Sequence, residues 1–377
     1  MTNRFSGRTT VTRRFASLAF GAALVAGTAL GGLVPASAAG HSAVSLEGKT
    51  IEFWIPFKEG GGSDVWARAL VPLMSKHLPG NPTIVVRNNT QGGGVGGANE
   101  FHRRMEPTGE MIFGTSGSIQ LPFLLQDKRV RYDYADFTPV FATPAGGVVY
   151  VRADSGIADA TDVMKLADMD AKYGSQGIAT LDLVPILAFD MLDLNVTPVF
   201  GMKSRSLGGQ AIQRGELQVD YQTTPAYLKQ VAPLVESGEM VPLFSWGALD
   251  GNGDIVRDPT FPDLPTFKEV YEEVKGEEPS GPEWEAWKAF FTAGFGSQKL
   301  IVLPKDTPEP IVVAYREAMK EMVADPEARE ALRASIGDYE PITGDALAPT
   351  MEAATTVPDE AREWVTNWLS EEFNFSN

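Results

Sequence analysis

The chain has 377 residues, 43% of them apolar and 21% charged, so it carries enough apolar side chain to bury a core, and disordered or collagen-like classes are excluded. At roughly 150 residues per domain, that length predicts two globular lobes. No cysteine is present, which removes disulfide frameworks, thiolate metal sites, iron–sulfur clusters and cysteine nucleophiles together.

Residues 1–38 hold Arg4, Arg8, Arg13 and Arg14 and no acid, and an Ala- and Gly-rich apolar run from Leu18 to Val34 precedes Pro35-Ala36-Ser37-Ala38-Ala39. This pattern predicts a secretory signal peptide cleaved after Ala38, because the peptidase accepts small side chains there and the run is short for a membrane span. Thr12-Arg13-Arg14-Phe15 lacks the usual twin-arginine spacing, so the export route stays open. Cleavage leaves 28 Lys and Arg against 49 Asp and Glu, a net charge near −21. Such a surface repels nucleic acid and anionic membrane, and the expectation is a freely soluble periplasmic monomer.

In chain order, Thr50–Pro56 is a β-prone run closed by proline, and Phe57–Asp64 is a glycine loop. Val65, Trp66, Ala69, Leu70, Leu73 and Met74 then recur at helical spacing, with Ser63 or Asp64 as N-cap and Pro72 expected to kink or shorten the helix. A second strand at Thr83–Arg87, a second glycine loop at Gln91–Gly97, a helix through Phe101 and a third strand at Met111–Gly114 follow. Val148–Val151 opens a second series, with helices at 161–169 and 184–192 and strands at 197–200, 217–221 and 241–244. Residues 248–285 are acidic and rich in Pro and Gly, and beyond Pro308 the spacing of Ile311, Val312, Tyr315, Ala318, Met319 and Met322 predicts an amphipathic helix. This alternation is that of α/β sheets with crossover helices.

Catalytic patterns are sparse. Gly92-Gly93-Gly94-Val95-Gly96-Gly97 satisfies a dinucleotide fingerprint literally, but it follows the second strand, and the loop is equally a set of tight turns or a source of backbone N–H groups for an anion. Gly60-Gly61-Gly62-Ser63 lacks the lysine of a phosphate-binding loop. His41, His77 and His102 form no metal spacing, no nucleophile elbow occurs, and no acid pair is singled out for hydrolysis. Trp284, Trp287, Phe290 and Phe291 at helical spacing predict core packing. No catalytic residue, metal or cofactor is expected.

Taken in order, these loops resemble the periplasmic solute-binding proteins of tripartite tricarboxylate transporters, the TctC or Bug receptors. Pro56–Asp64 is similar to that family's P-x-x-x-GGG-[ST]-D loop, and Asn88–Ala98 to its N-x-x-G-x-G-G-x-x-G-A block. Tyr173-Gly174-Ser175-Gln176-Gly177 is similar to Y-G-S-x-G, Gly215–Asp220 to an extended G-x-V-D, and Asp263–Thr266 to v-P-T. The family's Tyr-Lys-Gly is replaced by Phe200-Gly201-Met202-Lys203, and the acidic segment at 249–282 is long. The resemblance implies an α/β, two-lobed type II periplasmic-binding fold with a ligand cleft between lobes: residues 45–146 plus 248–377 as lobe one, and 147–247 as lobe two. It implies a receptor that captures a small organic acid and delivers it to integral membrane transporter subunits; an exported hydrolase using carboxylates is the alternative.

On that basis Gly60, Gly61, Gly62, Ser63 and Asp64 supply amides from lobe one, with the Ser63 hydroxyl, while Thr115, Ser116 and Ser118 line the same wall. Ser175, Gln176 and Gly177 supply amides from lobe two, Asp220 and Thr223 edge the cleft, and Asp220 accepts from a ligand hydroxyl, amine or water. Charge-assisted bonds from backbone N–H groups are each worth about 1.5–3 kcal/mol. Each helix dipole adds about 0.3–1 kcal/mol. Such oriented donors act at contact distance, whereas distant surface acids are screened, which lets an acidic protein hold an acid.

Overall fold

The computed structural model describes residues 44–375; the segment read as a signal peptide lies outside them. The chain runs β1 (Thr50–Ile55), α1 (Gly62–His77), β2 (Thr83–Asn88), α2 (Val95–Arg104), β3 (Met111–Ser116), α3 (Gly117–Leu124) and β4 (Phe137–Thr143). It continues with β5 (Gly147–Arg152), β6 (Lys172–Ser175), α4 (Leu183–Met191), β7 (Thr197–Phe200), α5 (Arg205–Gln213), β8 (Val219–Thr223), α6 (Thr224–Gln230), α7 (Ala232–Glu236) and β9 (Met240–Ser245). A hairpin of β10 (Ala248–Leu249) and β11 (Ile255–Val256) leads to α8 (Phe267–Lys275), α9 (Gly281–Phe291) and a π-helical turn at Thr292–Gly296. Then come β12 (Lys299–Pro304), α10 (Glu309–Ala324), α11 (Pro326–Ile336), α12 (Leu347–Thr355) and α13 (Asp359–Phe373).

Two five-stranded sheets result, ordered β2-β1-β3-β12-β4 and β7-β6-β8-β5-β9. Each is parallel over three strands and carries one antiparallel insertion: β12 against β3 and β4, and β5 against β8 and β9. Strand alternation explains how each sheet is covered on both sides. Ile51, Phe53 and Ile55 of β1 join one apolar cluster while Trp54 joins another, and Val149 and Val151 of β5 separate in the same way from Val148 and Tyr150.

In α1, Trp66, Leu70 and Met74 are fully buried along one stripe, which is why the helix lies against the first sheet. The helix begins earlier than the side-chain pattern suggests, with Gly61 as N-cap, and Pro72 does not end it. Pro72 is exposed, as is Arg68 four residues before it, so the carbonyl deprived of its donor belongs to the solvent side. The predicted helix at 161–169 is a 3₁₀ segment over Ala160–Leu166.

Packing departs from the predicted lobe boundary in the C-terminal third. Phe267 of α8, Trp284 and Trp287 of α9, and Val365 and Leu369 of α13 join the apolar cluster of the second sheet, although 248–377 was assigned to lobe one. Helical periodicity identifies an apolar stripe but not the sheet that it covers. Trp287 stacks on Trp284 and Phe291 at centroid distances of 5.2 and 5.0 Å, in agreement with the core role predicted for that cluster. The chain first crosses between sheets at Thr143–Gly147, where Gly146 N–H donates to Tyr339 Oη at 2.8 Å and Tyr339 Oη–H donates to Asp258 at 2.6 Å.

Candidate functional site

Three helix starts converge between the sheets. The N-terminus of α1 brings Gly61, Gly62 and Ser63, that of α3 brings Ser116 and Ser118, and that of α5 brings Ser204 and Arg205. They line a narrow cleft of about 50 Å³ that is partly open to solvent. The first N–H groups of a helix lack partners inside it, and its dipole favours negative charge there.

The lobes are closely apposed around this cleft. A Cβ added to Gly62 would stand 2.3 Å from Thr223 Oγ1 on β8, so glycine is what permits the approach. Gln230 Nε2 of α6 donates to the Gly60 carbonyl at 2.6 Å and clasps the two sides together.

Of the predicted residues, Gly61, Gly62, Ser63, Ser116, Ser118, Gln176 and Thr223 line the cleft. Gly60, Asp64, Thr115, Ser175, Gly177 and Asp220 do not, and their bonds show why. The Asp64 carboxylate accepts from Gly60 N–H at 2.8 Å, Arg68 Nε at 2.9 Å and Asn88 Nδ2 at 3.1 Å, which makes it the brace of the glycine loop. Thr115 is buried against Tyr134 at 2.6 Å.

In the second lobe the assigned roles need correction. Gln176 N–H donates to Asp182 at 2.6 Å and Gly177 N–H to Ser175 Oγ at 3.1 Å, so two of the three amides predicted to hold a ligand are engaged within their own turn. Asp220 accepts from Tyr150 Oη at 2.7 Å and from Arg205, and therefore anchors a guanidinium instead of edging the cleft. The second-lobe helix start that faces the cleft is α5, for which the sequence analysis predicted no helix.

Six polar residues on the wall were also missed: Lys58, Ser204, Arg205, Tyr221, Gln298 and Lys299. Lys299 opens β12 and is 2% exposed; its Nζ donates to Ser63 Oγ at 3.1 Å, and it forms no ion pair among the described residues. Burial lowers its pKa to about 7. Arg205 is 9% exposed and stacks over Tyr221 at 4.7 Å. Burial opposes its charge, but Asp220 and Asp182 outweigh that and hold its pKa well above the ordinary value. Gln298 is wholly buried, and neither end of its amide has a partner among the described residues; the same holds for Arg205 Nε. The one available signal for Lys299 was a charge at the head of the apolar run Leu300–Leu303, where no strand was assigned.

The second glycine loop lies off the cleft. Gly92, Gly93 and Gly94 have positive φ, and a Cβ on Gly97 would meet the Asn89 carbonyl at 2.3 Å, so tight turning accounts for these glycines.

The two sheets, their antiparallel insertions and the cleft between them are those of a type II periplasmic binding protein. No family model matches the chain and no curated protein is similar to it. Among solved structures it resembles the periplasmic binding protein BugD at 20% identity, with 86% of this chain and 97% of that chain covered and a TM-score of 0.65. It resembles MatC from Rhodopseudomonas palustris with bound malate at 18% identity, covering 85% and 97%, with a TM-score of 0.61. Rpa4515 of R. palustris, with adipate, matches at 20% identity over 86% and 97%, with a TM-score of 0.65. Similarity to the Bug and TctC proteins thus extends over most of the chain, and at these identities it is a similarity of fold.

Proposed function

We propose that the protein is an extracytoplasmic solute receptor that captures a small organic acid between its lobes and delivers it to the membrane subunits of a tripartite tricarboxylate-type transporter. The observation that carries this reading is the convergence of three helix N-termini on a cleft that also holds buried Lys299 and has no Asp or Glu on its wall among the described residues. That lining favours an anion. It disfavours carboxylate-dependent hydrolysis, because Asp182 and Asp220 stand behind the wall and engage Arg205. The malate and adipate named for two proteins of the same fold support a carboxylate ligand. Placement outside the cytoplasm rests on the signal-like residues 1–38; among the described residues no helix is long and apolar enough to cross a membrane.

A thermal-shift panel of malate, adipate, citrate and benzoate against malamide and adipamide tests the assignment. At a hundred times Kd a ligand adds about 2.7 kcal/mol of stability. The expected result is a midpoint raised by several degrees with at least one acid and by none of the amides, the acid being recovered unchanged. Stabilisation by the amides alone, or conversion of an acid to product, would overturn it.

A further inference from the structure

We propose that Lys299 is the anion-pairing residue of the cleft and that it takes up a proton from solvent as a carboxylate binds, so that above neutral pH each acid anion is loaded together with up to one H⁺. The inference rests on the receptor reading above and names the group that selects the charge of the ligand.

Lys299 is built into the site and has no charged partner among the described residues. It pairs in the sheet with Ser116 of β3 and Thr143 of β4, neither of them ionisable, and its ammonium reaches only Ser63 at the start of α1. The charged groups around it leave it uncompensated. Asp64 of α1 is held by Gly60, Arg68 and Asn88; Lys58 and Arg205, which share the cleft wall, are cations; and Asp220 and Asp182 face Arg205. A buried ammonium without a counter-ion is costly, and burial lowers its pKa to about 7. A carboxylate docked against it reverses that shift, and the amine gains a proton and a charge-assisted bond in one step. The unpartnered amide of Gln298, next in sequence and on the same wall, independently marks this corner as built for polar ligand atoms, since buried polar groups are rarely left unpaired.

The test is calorimetric titration of malate, adipate, citrate and benzoate into the purified protein at pH 6 and pH 8.5, each in two buffers of different ionisation enthalpy. For an acid that binds, the buffer dependence of the heat is expected to report uptake of between half a proton and one proton per site at pH 8.5 and much less at pH 6. The association constant should fall up to tenfold per pH unit above 7. Lys299→Met is expected to lose the proton uptake and more than tenfold in affinity at pH 6. Lys299→Arg, which stays charged, should bind without proton uptake. Acid binding by the unmodified protein with no proton uptake at pH 8.5 overturns the inference and leaves the receptor reading standing, as does a Lys299→Met variant that binds and titrates like the parent. Failure of all four acids to bind at either pH removes both.

Discussion

Lys299 also leaves a mark on the unliganded protein. Its folded pKa of about 7 lies below the 10.5 of a free lysine, so between those values the unfolded chain binds more protons than the folded one. Stability contributed through this group therefore rises as pH climbs from about 7 to about 10.5, and its full penalty applies below pH 7. Lys299→Met should raise the unfolding free energy at pH 6–7 by a few kcal/mol, on the order of one to four, and the gain should vanish near pH 10.5. Urea denaturation of both proteins across that range checks this; a difference independent of pH would contradict it. The sequence exposed half of this corner. Ser63 was legible from its glycine loop, whereas Lys299 lies 236 residues away and meets it only because β12 inserts beside β3. Asp220 and Gly177 were misassigned for a related reason: a motif marks where a turn belongs, but whether its amides face a ligand or their own side chains depends on the fold around it.

Among the elements, α1 governs the approach of the lobes. Gly62 leaves no room for a side chain opposite Thr223, so Gly62→Val should hold the lobes apart without unfolding either sheet. The expected outcome is an unchanged far-ultraviolet spectrum, a larger radius of gyration in X-ray scattering and at least tenfold weaker binding of any acid that stabilises the parent. An unchanged radius would show that Thr223 rotates away freely. Strand and helix positions on either side of this contact were largely readable from alternation and glycine punctuation, as β1, β2, β3 and α4 show. The start of α5 was not, because Arg205 and Ser206 separate its cap, Ser204, from a short and weak apolar stripe.

At the level of the whole molecule, the C-terminal helices support the lobe distant from them in sequence. Ending the chain after Pro358 removes Ala361, Val365 and Leu369 from the second-sheet cluster and uncovers α9. Burial of three such side chains contributes about 5 kcal/mol. The truncated protein should melt at least ten degrees lower and bind a hydrophobic dye, with the loss concentrated in the amides of α4 and α9 under hydrogen exchange. Protection reduced mainly in α10 and α11 would instead tie α13 to the first sheet.

The position of β12 also fixes the order in which the architecture can be completed. It fills the middle of the first sheet, between β3 and β4, yet it is made some 160 residues after β4, once every strand of the other sheet already exists. A chain emerging from a ribosome N-terminus first thus carries its opening lobe as two unjoined pieces for most of its synthesis, while the later lobe has all five strands at hand. The first sheet is joined only once residue 304 is out, and the second, complete in strands long before, waits longer still for α13 to cover it.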